Sequence, residues 1–322
     1  MTRMLDRQAP RTGFRIGIDL GGTKIAAAAI DAAGAIAAAR RIATPAGDYN
    51  ATVAALAGLI AALETEIGTR APVGIGIPGT IVADTGLVKN ANSTWLNGRK
   101  LARDVEAALG REVRFANDAN CFALSEAIDG AASGFDTVFG VILGTGVGGG
   151  IVVGGRLLVG ANAVAGEWGH NPLPAPAADE LPGPPCYCGR SGCIETFLSG
   201  PGLAADHLRH GGRHGGAALT APEIAAGACA GQADCRATIE RYVERLARAL
   251  ASVINLLDPD AIVLGGGLSS LAVLYDEVPR RWGRYVFSDT VVTRLLLPRH
   301  GDASGVRGAA WLWPPERRDR QD

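Results

Sequence analysis

At 322 residues the chain can form one large or two medium domains, and 48% hydrophobic with 20% charged residues is ordinary for a soluble globular protein. Thirty-one Lys and Arg oppose 32 Asp and Glu, a formal charge of −1 with no long run of one sign. Nothing marks a nucleic-acid or anionic-membrane surface, so the expected partner is small. Met1 to Gly13 has no apolar signal core, and no stretch offers about 20 apolar residues free of charges and turn signals; neither export nor membrane spanning is expected, and the cytoplasm is the default.

After a polar leader over residues 1–13, Phe14 to Leu20 reads as a strand that breaks into Gly21, Gly22, Thr23 and Lys24. A glycine turn bearing a hydroxyl and an amine suits phosphate. Its backbone N–H groups can approach an anion closely, and Asp19 at the strand end can hold a magnesium ion through water. The spacing is not that of a Walker A loop, and a Gly-Gly turn is also a common hairpin. Residues 25–39 read as a hairpin turning at Asp31 to Gly34, despite an alanine content that favours helix. Val53, Leu56, Leu59, Ile60, Leu63 and Ile67 fall at helical spacing and predict a helix stopped by Gly68. Val73 to Ile77 predicts a buried strand running into Pro78 and Gly79. Residues 90–98 crowd amides and hydroxyls around Trp95; they offer what a sugar needs, or they bond their own backbone as a surface loop.

A short helix over Leu101 to Leu109 and a strand from Val113 lead to Asn117 and Asp118. Open α/β folds place reactive groups where a strand feeds a helix, so Asp118 either accepts a proton from a substrate hydroxyl or caps the helix. Thr137 to Leu143 predicts a third strong strand, followed by Gly144, Thr145, Gly146, Val147, Gly148 and Gly149. These residues match the dinucleotide fingerprint, but Gly150 to Gly155 alternate as strand and turn where the fingerprint requires a helix, so a Rossmann reading is rejected. Strand, glycine turn, strand repeats the pattern at residues 14–30, and two such hairpins can grip a polyphosphate from both sides. Residues 175–185 read as an exposed Pro- and Ala-rich excursion, and 211–216 as a loop. Tyr242, Val243, Leu246, Leu250, Val253, Ile254 and Leu257 trace one helix face ending at Asp258 and Pro259. Ala261 to Leu264 then opens as a strand into Gly265, Gly266 and Gly267, backbone that can lie under an adenine. A closing loop and helix follow at residues 301–313, and residues 315–322 are expected to fray.

The densest chemistry lies between Glu167 and Glu195. Cys186, Cys188 and Cys193 with His170 make a Cys3His set, a closed tetrahedral group for zinc that leaves no position for water. A closed site folds a loop and does not activate a nucleophile, so chemistry falls to the flanking carboxylates Glu167 and Glu195. One disulfide plus a free thiol is the alternative, although Cys186 and Cys188 are too close to bridge easily. Cys121, Cys229 and Cys235 read as packed thiols.

In the order Asp19-Leu-Gly-Gly-Thr-Lys24, Asn117-Asp118, Gly144-Thr-Gly146, Glu167-Trp-Gly-His170, Cys186-Tyr-Cys-Gly-Arg-Ser-Gly-Cys-Ile-Glu195 and Gly265-Gly-Gly267, the chain resembles the ROK family of repressors, open-reading-frame proteins and sugar kinases. The resemblance runs from about Phe14 to Trp313. It implies an α/β fold of the actin-like ATPase, ribonuclease-H-like kind, with two lobes, drawn at 14–120 and 121–314, and a central cleft for sugar and ATP. It also implies roles for the matching residues. Gly17, Asp19, Gly21, Gly22, Thr23 and Lys24 would form the first phosphate loop. Gly144, Thr145, Gly146, Val147 and Gly148 would form the second, with Gly265, Gly266 and Gly267 by the adenosine. Asp118 would be the catalytic base, and Asn92, Asn117, Asp118, Glu167, His170 and Glu195 would contact the sugar. ATP, Mg2+, a structural Zn2+ on His170, Cys186, Cys188 and Cys193, and a cytoplasmic homodimer complete the implied picture.

The text around Lys89 to Asn97 and Glu167 to Pro174 is most similar to the bacterial fructokinase (mannofructokinase) branch, which implies phosphorylation of a hexose 6-hydroxyl, fructose first. The N-acetylglucosamine kinase branch shares the Gly-Thr-Gly-Val-Gly-Gly-Gly loop and is the alternative, together with glucokinase. A sugar-responsive repressor of the family would carry a helix-turn-helix before the first strand, where about thirteen residues without helical pattern stand here. An actin-like ATPase or chaperone would leave the metal cluster unexplained.

Overall fold

The computed structural model describes residues 13–212 and 217–314. Residues 1–12 of the leader expected at 1–13, part of the 211–216 loop and the tail at 315–322 lie outside the described residues.

Strands β1 (Phe14–Leu20), β2 (Lys24–Asp31) and β3 (Ile36–Ala43) form an antiparallel meander. Asp31 closes the second turn by accepting from the backbone N–H groups of Ala33 and Ala35 at 2.9 and 2.8 Å. The alanines of β2 stay extended because β2 is paired on both sides, and tertiary pairing overrides helix propensity. Helix α1 (Tyr49–Ile67) is capped by Asp48, which accepts from Ala51 N, and stops at the left-handed Gly68. Strand β4 (Val73–Ile77) follows, then the short pair β5 (Thr80–Ile81) and β6 (Val88–Lys89), helix α2 (Leu101–Leu109), strand β7 (Val113–Asn117) and helix α3 (Asp118–Ile128). Next come the hairpin β8 (Thr137–Leu143) and β9 (Val147–Val153), β10 (Arg156–Leu157), α4 (Glu195–Leu198), α5 (Gly200–Arg209), α6 (Ala221–Cys229) and α7 (Ala233–Leu257). The chain closes with β11 (Ala261–Gly265), α8 (Val273–Trp282), β12 (Arg294–Leu296) and α9 (Ser304–Trp311).

These elements group into two compact units. The first takes the described residues up to Ser133, with Gly155–Ala165 and the described residues from Arg299 onward; its sheet has the order β3-β2-β1-β4-β7. The second takes Gly134–Gly154 and Gly166–Pro298, with β9-β8-β11-β12 side by side and α7 in its core.

This grouping departs from a single cut at 120/121, because α3 and α9 belong with the first unit. The reason is close packing: a Cβ on Gly17, mid-strand in β1, would lie 1.9 Å from Val306 O of α9. Arg15 Nε donates to Trp313 O at 2.7 Å, and the Arg114 guanidinium stacks 3.8 Å above the Trp313 ring. Gly17 therefore serves helix packing, a use beyond the phosphate loop expected of it. Helix α1 has the length and hydropathy to cross a membrane, although, as read from the residues, it is not free of charges and turn residues: it carries Gly58, Glu64 and Glu66. Its Leu56, Leu59, Ile60 and Leu63 are spent on the first unit's core. Cys121 and Cys235 are buried as expected, whereas Cys229 is exposed.

Candidate active site

In the first unit β1, β4 and β7 are parallel and finish together, with Asp19 in register with Gly76 and Ile77 with Asn117. Ligands of open α/β sheets collect at such carboxyl ends. Asn117 is the cap of α3: its Oδ1 accepts from Ala119 N at 2.8 Å, and its Nδ2 donates to Gly79 O at 3.0 Å. The helix therefore does not depend on Asp118 for its cap. Asp118 is the first helical residue, exposed, with Oδ1 2.8 Å from Ala119 N. One turn along, the buried Cys121 thiol is pushed well above its usual range by burial and by the fields of Asp19 and Asp118, so both carboxylates border one end of the sheet. Burial also raises the Asp19 carboxyl, against the opposing pull of Lys24 and Arg41.

The turn between β1 and β2 is tied down by Gly21 N donating to Lys24 O at 3.0 Å and by Thr44 Oγ1 donating to Gly21 O at 2.8 Å. Thr23 and Lys24 are exposed beside it. In the amide-rich loop Asn97 braces the backbone, accepting from Ala91 N and donating to Ala91 O, both at 2.9 Å. Asn92 is left exposed. Ser93, given no role in the sequence reading, is buried, and its Oγ has no hydrogen-bond partner among the described residues. It would touch a Cβ on Gly22 at 3.4 Å, so the loop reaches the turn between β1 and β2. Its place directly after the amide pair was the available signal.

In the second unit β9 starts at Val147, directly after the glycine turn and without a helix, as the rejection of a Rossmann motif required. Gly144 N donates to Gly146 O at 3.0 Å and Gly200 N to Gly144 O at 2.8 Å. Val147 N donates to Glu195 Oε2 at 2.9 Å. Trp168 Nε1 donates to Gly148 O at 3.0 Å, which lays the Glu167–His170 turn on β9. Gly266, at φ 81°, would place a Cβ 2.5 Å from Leu143 O, so the turn after β11 lies against the end of β8.

The four expected metal donors converge. His170 Nδ1 lies 3.5 Å from Cys186 Sγ, Cys188 Sγ lies 3.7 Å from Cys193 Sγ, and all four donor atoms fall within 4.8 Å of one another. A tetrahedron with Zn–S near 2.3 Å and Zn–N near 2.0 Å has S–S edges of about 3.8 Å and N–S edges of about 3.5 Å. The set fits that ion. The loop is folded for it by Cys186 N donating to Arg190 O at 2.7 Å and by Gly189 N donating to Cys186 O at 3.0 Å. Arg190 draws the Cys188 thiol down to about 6, while burial pushes Cys193 up to about 12. His170 Nε2 is 2.9 Å from Tyr187 Oη. Burial, Glu195 and Glu167 together push that phenol up to about 12, which places both carboxylates around it.

Parallel strands ending in glycine turns, with a carboxylate at the head of a helix, define a phosphate-handling α/β protein of the actin-like ATPase fold. The sequence pattern of the ROK family matches residues 15–316, and the chain belongs to that family. An N-acetyl-D-glucosamine kinase from Erwinia tasmaniensis is 44% identical over 301 residues, covering 92% of this chain and 98% of that protein. The crystal structure of a ROK hexokinase from Thermus thermophilus aligns with TM-score 0.81 and 32% identity over 92% of this chain and 96% of that one. A ROK glucokinase from Streptomyces griseus, solved with glucose and AMPPNP, aligns with TM-score 0.73 and 29% identity over 93% and 99%. None of the three is named a fructokinase, and the name of the first agrees with the alternative branch better than with the one favoured on the text around Asn92.

Proposed function

We propose that this protein transfers the γ-phosphoryl group of ATP to the 6-hydroxyl of N-acetyl-D-glucosamine. The observation that carries the reading is the near-full-length similarity to a kinase of that sugar, which extends through the glycine hairpin and the thiol cluster. Asp118 takes the proton of the attacking hydroxyl. Asn92, Glu167, His170 and Glu195 hold the sugar, and Asn117, its oxygen and one N–H committed to α3 and Gly79, has one N–H left for it. Gly21 to Lys24 and Gly144 to Gly148 supply N–H donors to the phosphates, and Gly265 to Gly267 face the adenosine. Magnesium neutralises phosphate charge when bound, and Asp19 is the carboxylate to hold it through water. Zinc on His170, Cys186, Cys188 and Cys193 has a structural part: it sets where Glu167 and Glu195 point. Phosphoryl transfer runs through a loose transition state, so alignment and charge neutralisation dominate and the base acts late.

A coupled ADP-release assay across N-acetylglucosamine, glucose, mannose and fructose tests this. The expected order has N-acetylglucosamine first in kcat/KM; a preference for fructose, or ADP release indifferent to sugar, overturns the reading.

A further inference from the structure

The second unit holds another group of metal-type donors that the kinase reading does not use. His207, near the end of α5, is 1% exposed, and its Nε2 has no hydrogen-bond partner among the described residues. Its Nδ1 sits 2.9 Å from Thr238 Oγ1. That hydroxyl receives Arg241 Nη2 at 3.0 Å and sends its own proton to Asp234 O at 3.0 Å. In the tautomer that lets Thr238 keep its bond to Asp234 O, the imidazole hydrogen is on Nδ1, donated to Thr238, and Nε2 presents a bare lone pair. What faces that lone pair is another acceptor, Asp234 Oδ2 at 3.8 Å. The Sγ of the buried Cys235 completes a trio whose donor atoms lie within 4.8 Å of one another. Gly212 packs against this edge of the ring, close enough that a Cβ there would stand 2.3 Å from Nε2.

The bare nitrogen of a buried imidazole and a half-exposed carboxylate turned toward it repel unless something positive lies between them. We propose that His207, Asp234 and Cys235 form a second metal site, for a divalent ion of the zinc class with water as the fourth ligand. Imidazole, carboxylate and thiolate are the ligands zinc accepts, and an N–O edge of about 3.4 Å in its tetrahedron is reached by a small rotation of the half-exposed Asp234. On binding, the Cys235 thiol, which now donates to Gln232 Oε1 at 3.3 Å, loses its proton to solvent and turns its sulfur to the ion. The ion would tie the end of α5 to the first turn of α7, a region apart from the Cys186 to Cys193 loop.

The test is metal stoichiometry of the full chain. Protein loaded with Zn2+ and desalted is weighed by native mass spectrometry, with His207→Gln, Asp234→Asn and Cys235→Ser beside it. Each variant is expected to carry one zinc fewer per chain than the unmodified protein. Asp234→Asn, at a half-exposed position, keeps the test valid if a core variant fails to fold. Loading with Co2+ gives a second reading, in which Cys235→Ser loses part of the sulfur-to-cobalt absorption that Asp234→Asn shifts. Unmodified protein holding a single zinc, or variants that hold as many as it does, overturns the proposal; the latter result assigns the Nε2 lone pair a proton.

Discussion

Replacing Glu180 by glutamine removes the one negative charge that anchors the 175–185 excursion to α7. Its Oε1 accepts from Arg245 Nε at 2.7 Å and Arg248 Nη2 at 2.8 Å, and its Oε2 from Arg248 Nη1 at 2.9 Å and Ala177 N at 2.7 Å. The side chain is 5% exposed, and those hydrogen bonds outweigh burial and hold its carboxyl down at about 2, against an ordinary 4.5. A depressed carboxyl contributes stability above its unfolded pKa and loses it as pH falls toward the folded value. A shift of this size corresponds to ~3 kcal/mol at pH 7 and ~2 kcal/mol at pH 3.5. Glu180→Gln also leaves Arg248 buried without a counter-charge, so the loss at pH 7 should reach about 3–5 kcal/mol. Urea unfolding of both proteins at pH 7 and pH 3.5, followed by tryptophan fluorescence, measures the gap. A difference under about 1 kcal/mol at pH 7, or one that stays constant down to pH 3.5, would show that the network is not electrostatically coupled as described.

Asp118→Asn should leave the melting temperature and sugar affinity nearly unchanged, because Asn117 caps α3, while kcat falls by roughly 10²- to 10⁴-fold; steady-state kinetics would settle it, and near-normal turnover removes Asp118 from the base role. Gly146→Ala would drive a Cβ to 2.7 Å from Glu195 Oε2, so the KM for sugar should rise on the order of tenfold; an unchanged KM would separate Glu195 from the sugar. Stripping zinc with a chelator should weaken sugar binding before nucleotide binding, measured by calorimetry on verified metal-free protein, since Cys193 is two residues from Glu195 while Gly265 to Gly267 lie on β11 and its turn. Equal losses for both ligands would count against a local role for the ion.

Much of the fold was legible because its signals are local. Phe14–Leu20 and Thr137–Leu143 have the bounds read from the residues, and Gly68 stops α1 where a left-handed residue was expected. The convergence of His170, Cys186, Cys188 and Cys193 was readable because thiols at that spacing have few other uses. Relations between distant segments were not. The partners of Glu180 lie 65 and 68 residues away, so a buried acid inside a Pro-rich excursion looked like surface. The membership of α9 in the first unit rests on its fit against Gly17, which the motif reading had spent on phosphate. The weighing of the two kinase branches turned on short stretches: Lys89 to Asn97 and Glu167 to Pro174 favoured one over the branch that shares the Gly144 to Gly150 loop, and in the first of them Asn97 braces its own backbone.

The return of α9 to the first unit also bears on how the chain is made. When the ribosome has finished β12, the second unit has every segment it needs, whereas the sheet formed by β1 and β4 still lacks the helix that covers Gly17. The later-translated unit is thus the earlier one able to mature. The nascent β1–β4 surface is left open to a chaperone until residues 304–311 emerge, and a stalled or truncated product would be adhesive on that face rather than merely inactive.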